Sequence, residues 1–163
     1  MGLFLKSLLF TVLVPGTFAV LIPYRLGLRR SGLPRLWTAQ HYVSLLPFAI
    51  GAAISLRCVC DFAITGRGTP APIDAPKVLV VGGLYRYVRN PMYIGVLLVM
   101  LGWTVFFNSA AVVVYAAGGA LLFHLFVVLV EEPRLRRQFG EPYQRYCSAV
   151  RRWLPGTPYQ GNS

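Results

Sequence analysis

The chain has 163 residues, of which 56% are hydrophobic and 13% are charged, whereas soluble domains carry roughly 25% charged residues. Its formal net charge is +11, and 14 of its 16 basic residues are arginines that lie between long apolar runs. This layout is typical of a membrane protein. It excludes a nucleic-acid-binding module, which would place a basic stripe over a modest core. The length excludes a two-domain nucleotide-binding fold, so we expect one integral membrane domain, 1–163.

Four apolar segments approach the roughly 20 residues that a membrane helix needs. They are 3–22, 42–64, 92–107 and 110–130. We therefore predict an all-α fold with about four transmembrane helices and a helical C-terminal tail. Pro15 predicts a kink in the first segment. An alternative for that segment is a secretory signal cleaved after Ala19, but its apolar run continues past that position, which favours a retained span.

Short-range spacing makes three further predictions. Only Asn108 and Ser109 separate the last two apolar segments, which predicts a tight antiparallel helical hairpin. Arg57 and Asp61 lie four residues apart near the end of the second segment, so we expect them to pair on one helix face. The cysteines are odd in number and lack metal-ligand spacing, which favours packing roles over a disulfide framework or a metal site.

With four spans, Lys6, the loop 65–91 and the tail after residue 130 share one side and carry 11 basic residues, whereas the other side has only Arg25, Arg29, Arg30 and Arg35. The positive-inside rule then predicts that both termini and the active site are cytosolic, at the inner membrane if the protein is bacterial. The tail arginines would also favour anionic membrane lipids.

Polar residues lie at the start of the third segment and at the end of the fourth. Asn90 suits the N-cap position and Pro91 suits the first turn of the third helix. Glu131 and Glu132 directly follow the fourth segment, where adjacent carboxylates are costly unless a cation uses them. Arginines 134, 136 and 137 could neutralise them. Because a hairpin returns the chain to its starting side, we expect the two glutamates to face the loop before the third helix.

Two sequence motifs lie on either side of the predicted hairpin. The first is Tyr85-Arg-Tyr-Val-Arg-Asn-Pro-Met-Tyr93-x-Gly95, and the second is Glu131-Glu132-Pro-x-Leu135-x-x-x-Phe139-Gly140-x-x-Tyr143-x-x-Tyr146. With the hairpin between them, they resemble the isoprenylcysteine carboxyl methyltransferase family and its phospholipid methyltransferase relatives, in the form of a small bacterial-type membrane methyltransferase. The resemblance covers 66–155, more than half of the chain.

The resemblance implies an integral-membrane enzyme that uses S-adenosylmethionine, releases S-adenosylhomocysteine and methylates a lipophilic acceptor such as a lipid, thiol, phenol or carboxylate. It assigns no catalytic residue. The positions expected to contact the cofactor are Lys77, Val78, Leu79, Val80, Tyr85, Asn90, Pro91, Met92, Tyr93 and Glu131, with Glu132 and His124 as further candidates. Carboxylates suit the cationic and hydroxyl groups of this cofactor, and Val80 and Tyr93 suit its adenine. Because the cofactor carries no phosphate, Gly82 and Gly83 are interpreted as a turn.

Several residues depart from the family pattern or leave alternatives open. The family usually has His where this chain has Asn90, and an Arg that holds the substrate carboxylate where this chain has Val127. We therefore expect an acceptor other than a prenylcysteine carboxylate. Pro133 predicts that the fourth helix ends before Arg134. His124 lies seven residues before Glu131 and should share its helix face, either as a packing residue or as part of the site.

Two other classes of protein remain possible at this stage. Sterol reductases share a similar membrane C-terminal region, but they bind a nicotinamide cofactor and have many more spans. A non-enzymatic small helical membrane protein would not need the paired loop and glutamate motifs. The oligomeric state does not follow from the sequence.

Overall fold

The computed structural model describes residues 16–65 and 79–161. Most of the first predicted span, Pro15, Lys77 and Val78 lie outside the described residues. All regular secondary structure within these two ranges is helical. In chain order it comprises a π-helical turn Thr17–Leu21, α1 (Ile22–Ser31), α2 (Ala39–Thr65), a 3₁₀ turn Gly83–Arg86, α3 (Pro91–Phe107), α4 (Ala110–Phe126), a second π-helical turn Val127–Glu131, α5 (Glu132–Phe139) and α6 (Glu141–Ala149).

Two helical segments in the described part of the chain are long and apolar enough to cross a membrane. They are Ala39–Asp61 and Ala110–Phe139, whose most apolar 18-residue windows have mean hydropathies of 1.9 and 2.3. Helix α3 is apolar but shorter. Only 22% and 17% of the most apolar windows of the two long segments are buried within the protein. Their apolar faces therefore point outward, as in membrane spans, whereas the core helix of a soluble protein would be mostly buried.

Each π-helical turn is followed by a proline, Pro23 or Pro133. In an α-helix the proline ring clashes with the carbonyl four residues before it. Here the N–H of Glu132 bonds to the carbonyl of Val127, five residues back, so the helix is widened just before the ring. The prediction that Pro133 ends the fourth helix is wrong, because the helix continues from 110 through 139. The helix that contains the end of the first apolar segment continues beyond residue 22, since α1 extends to Ser31.

Helices α2 and α3 approach each other closely at two glycines. A Cβ atom on Gly51 would clash with the carbonyl oxygen of Gly95, and one on Gly95 would clash with the Ser55 hydroxyl. Small residues at such crossings allow helix backbones in membranes to pack at short range. This contact places the start of α3 beside the end of α2, where Cys58 and Asp61 are buried.

The predicted hairpin between α3 and α4 is confirmed. Asn108 adopts a left-handed conformation with φ of 43° and ends α3, and Ser109 precedes α4. The helices run antiparallel, because the Tyr93 ring near the start of α3 lies 5.1 Å from the Phe123 ring near the end of α4. The end of α4 is therefore level with the start of α3.

The described residues of the first predicted span pack into the bundle. Ala19 is buried in a cluster with Val96 and Met100 of α3. The Tyr115 hydroxyl of α4 donates a 2.8 Å hydrogen bond to the carbonyl oxygen of Phe18. These contacts favour a retained first segment over a cleaved signal.

Candidate functional site

The pre-helix loop, residues 79–90, is held by a C-terminal strap, residues 150–159. Their hydrogen bonds follow an antiparallel order: Arg89 N to Arg151 O at 2.9 Å, Gly156 N to Tyr87 O at 3.0 Å, and Tyr159 N to Arg86 O at 2.9 Å. The strap thereby fixes the backbone of the loop that carries the tyrosine-rich motif. Sequence reasoning missed this pairing, because the strap has no pattern that names its partner.

Helix α6 also packs against the pre-helix loop. The Tyr146 hydroxyl donates a 2.6 Å hydrogen bond to the carbonyl oxygen of Tyr85. Burial raises the pKa of Tyr146, so its hydroxyl remains a donor at neutral pH. Val81 and Leu79 of the loop pack against Tyr143 and Tyr146 in one apolar cluster. The two family-like patterns therefore form one packed unit at this end of the bundle.

Glu132 lies at the centre of an ion-pair cluster that joins the helix, the loop and the strap. Its Oε1 accepts hydrogen bonds from Arg89 Nη1 at 3.0 Å and from Arg152 Nε at 2.7 Å, and its Oε2 accepts one from Arg152 Nη2 at 2.9 Å. These bonds raise the pKa of Arg152. Glu132 is only 5% exposed. The alternative that arginines 134, 136 and 137 neutralise the glutamates is not what the Glu132 ion pairs show, because these are formed with Arg89 and Arg152.

Glu131 has a different environment from its neighbour. The Tyr93 hydroxyl donates a 2.9 Å hydrogen bond to Glu131 Oε2. Burial raises the pKa of Tyr85 in the loop, with smaller increases from Cys58 and from the charge of Glu131. The expectation that the glutamates face the loop before α3 is confirmed by these contacts and by those of Glu132 with Arg89.

Asn90 and Pro91 begin α3 as predicted, but the Asn90 side chain does not cap the helix. Its Nδ2 instead donates a 3.1 Å hydrogen bond to the carbonyl oxygen of Arg152 in the strap. Asn90 is buried. In this structure it is therefore tied to the strap, and its side-chain amide adds to the contacts that hold loop and strap together.

His124 is exposed, and its ring is tied to the strap. The Trp153 indole N–H donates a 3.1 Å hydrogen bond to His124 Nδ1. The Trp153 ring also lies 6.5 Å from the Tyr93 ring, with their planes at 67°. A π-helical turn separates His124 from Glu131, so they do not lie above each other as two α-helical turns would place them. Glu131 is hydrogen-bonded by Tyr93 and His124 by Trp153, and Trp153 is a residue that sequence reasoning missed.

The remaining predicted residues are placed around Tyr85. Val80 is buried with Tyr85 and Cys58, and Met92 packs against this cluster. Leu79 points instead to the α6 side, as described above. Val127 is 1% exposed and packs inside the protein at the start of the second π-helical turn.

An apolar cavity of about 240 Å³ borders the pre-helix loop on its α2 side. It is lined by Ile54, Leu84, Tyr87, Val88, Pro91, Ile94 and Pro155. Such a cavity favours apolar groups over polar ones.

Residues 39–142 match the phospholipid methyltransferase family, and this match covers most of the chain. The chain belongs to that family, which includes the isoprenylcysteine carboxyl methyltransferase-like membrane methyltransferases. It is therefore a membrane methyltransferase in the general sense. An uncharacterized protein of Haemophilus influenzae is 35% identical to the chain over 63 residues, which are 39% of this chain and all of that protein. No solved structure matches the chain significantly.

Proposed function

We propose that the protein transfers a methyl group from S-adenosylmethionine to a lipophilic acceptor at the membrane. The observation that carries this proposal is the carboxylate of Glu131, which accepts a hydrogen bond from Tyr93 at the end of the hairpin beside the pre-helix loop. In a member of a methyltransferase family, a partly buried carboxylate beside a tyrosine suits a ligand that carries both a cation and hydroxyl groups.

The residues present fit this cofactor. Its cationic and hydroxyl groups require acceptors, and Glu131 supplies one at the loop. Its adenine requires an apolar or aromatic surface, which Val80, Met92 and the Tyr93 ring supply. When bound, S-adenosylmethionine supplies the methyl group on an activated sulfonium. Gly82 and Gly83 form the turn of the loop rather than a phosphate site, since Gly83 has φ of 55° and opens the 3₁₀ turn.

The two glutamates have separate roles in this proposal. Glu131 contacts the cofactor, and Tyr93 orients its carboxylate. Both oxygens of Glu132 accept hydrogen bonds from arginine, so we assign Glu132 to positioning the loop and the strap rather than to direct contact. Lys77 and Val78 stay predictions from the family resemblance.

The acceptor is proposed to be lipophilic and to lack a carboxylate clamp of the prenylcysteine type. The apolar cavity beside the loop supports an acceptor that arrives from the lipid phase. Val127 is buried and apolar, so it supplies no charge-assisted hydrogen bond to a carboxylate. The chain would then act by orienting the acceptor and excluding water, which suffices for a nucleophile such as a thiolate, phenolate or amine.

Calorimetry on the detergent-purified chain tests the cofactor. We expect S-adenosylhomocysteine to bind and NADPH not to bind; binding of NADPH alone would support a reductase, and binding of neither would support a non-enzymatic membrane protein. Methyl transfer from radiolabelled S-adenosylmethionine tests the acceptor. N-acetyl farnesylcysteine is compared with phosphatidylethanolamine and with small lipophilic thiols and phenols. Turnover of farnesylcysteine alone would overturn the proposed acceptor class.

A further inference from the structure

Asp61 lies at the end of α2 nearest the pre-helix loop, and one of its carboxylate oxygens has no hydrogen-bond donor. The residue is only 9% exposed. Arg57 Nε lies 3.2 Å from its Oδ1, which confirms the predicted pair, and the Arg57 side chain is itself 64% exposed. The second oxygen, Oδ2, is buried and accepts no hydrogen bond. Burying a carboxylate oxygen without a donor is costly, so this geometry indicates a donor that binds there.

The other described carboxylates are already engaged. Glu132 is held by arginines, Glu131 is held by Tyr93, and Glu141 forms an exposed pair with Arg145. Among the buried side-chain atoms that the structure describes, in residues 16–61 and 79–161, Asp61 Oδ2 is the one oxygen without a hydrogen-bond partner. Among the described carboxylates, the lack of a hydrogen-bond donor is therefore specific to Asp61.

Asp61 lies against the same loop as the proposed cofactor site. Gly83 has a positive φ, and a Cβ atom on it would collide with Asp61 Oδ2, so the glycine makes room for the carboxylate. Cys58, one helical turn before Asp61, packs with Tyr85 of the loop in one buried cluster. Asp61 therefore lies against the loop that leads into α3, and Tyr93 in the first turn of α3 is hydrogen-bonded to Glu131.

We propose that Asp61 is a second anionic anchor of the cofactor site and that its Oδ2 accepts a hydrogen bond from the α-ammonium group of the cofactor's amino-acid part. This inference rests on the proposed function. An ammonium group supplies both the donor and the positive charge that a buried carboxylate requires. Arg57 balances the carboxylate from the exposed side, which leaves the inner oxygen for the ligand.

The test is calorimetry on the full chain in detergent, with three ligands and one isosteric variant. The ligands are S-adenosylhomocysteine, its deaminated analogue, and 5′-methylthioadenosine, which lacks the amino-acid part. The wild type should bind S-adenosylhomocysteine about tenfold or more tightly than the deaminated analogue, as expected for a hydrogen bond between charged groups. Asp61→Asn should weaken S-adenosylhomocysteine by a similar factor and leave 5′-methylthioadenosine within about twofold.

The controls separate this inference from the proposed function. Arg57→Gln removes the exposed partner and should change S-adenosylhomocysteine affinity far less than Asp61→Asn does. If the wild type binds S-adenosylhomocysteine and its deaminated analogue equally, the role of Asp61 is refuted while the proposed function stands. Because this comparison uses only the wild type, it also tests the role of Asp61 if Asp61→Asn fails to fold. An equal loss for 5′-methylthioadenosine in Asp61→Asn would overturn the assignment to the ammonium group, and a wild type that binds none of the ligands would overturn both proposals.

Discussion

Replacing Glu132 by glutamine removes the negative charge at the point where helix, loop and strap meet. The amide keeps the size of the side chain, so the change acts on charge rather than on packing. It leaves Arg89 and Arg152 close together without their common carboxylate, and Arg89 has only 13% of its side chain exposed. Arg89 Nη1 retains its 3.0 Å contact with Cys147 Sγ, which does not replace a carboxylate. We therefore expect a large loss of stability.

The magnitude follows from the burial of the three side chains. Removing one partner of a buried ion pair costs about 3–5 kcal/mol, because the remaining charges are left uncompensated. The Arg152 side chain is 30% exposed and is partly solvated, so the lower end of that range applies. A chain of this size loses about 2–4 °C of melting temperature per kcal/mol. A loss of about 3 kcal/mol then corresponds to a decrease of about 6–12 °C.

Thermal unfolding of the detergent-purified chain, followed by far-ultraviolet circular dichroism, measures this decrease. Glu141→Gln is the matched control, since Glu141 and Arg145 are 77% and 68% exposed and lie 3.7 Å apart. Exposed pairs of this kind contribute about 0–1 kcal/mol, so its melting temperature should stay within about 4 °C of the wild type. An equally small change in Glu132→Gln would refute the role assigned to the ion-pair cluster.

Three further predictions concern other parts of the molecule. Glu131→Gln should weaken S-adenosylhomocysteine binding about tenfold in calorimetry while the melting temperature stays close to that of the wild type; unchanged affinity would contradict its role in the cofactor site. Gly27→Ala should destabilise the chain by about 1–3 kcal/mol in thermal unfolding, because the new Cβ collides with the Phe107 ring. Gly118→Ala, with open space around it, should be neutral, and equal melting of the two variants would count against this packing. A reporter fused after Ser163 should report a cytoplasmic terminus; an extracytoplasmic signal would reverse the predicted topology.

Features with a local cause could be predicted from the sequence. Asn108 and Ser109 separate two apolar runs, and a two-residue connection between helices forces an antiparallel hairpin. Arg57 and Asp61 lie four residues apart, and that spacing alone brings them together on a helix. The hairpin also placed the glutamates opposite the pre-helix loop, because it returns the chain to its starting side.

Features that depend on distant partners could not be predicted in the same way. The nearest arginines in the sequence were one possible set of partners for the glutamates, but Glu132 pairs with Arg89 and Arg152, which are 43 and 20 residues away. Residues that are close in sequence on a helix point in different directions around its axis. Proximity in sequence therefore does not decide which arginine reaches a carboxylate. Trp153 belongs to a strap without regular secondary structure, and no periodic pattern marks its contacts with Tyr93 and His124.

The structure explains why two adjacent glutamates have different partners. Successive residues on a helix point roughly 100° apart, so Glu131 and Glu132 cannot face the same neighbour. Glu131 ends the π-helical turn and reaches Tyr93 on α3, whereas Glu132 begins α5 and reaches the arginines of the loop and strap. The π-helical turn changes the rotation of every residue that follows it relative to a continuous α-helix. Since this turn holds one more residue than an α-helical turn, deletion of one residue within 127–130 should convert it to an α-helical turn and keep Glu132 directed at Arg89 and Arg152.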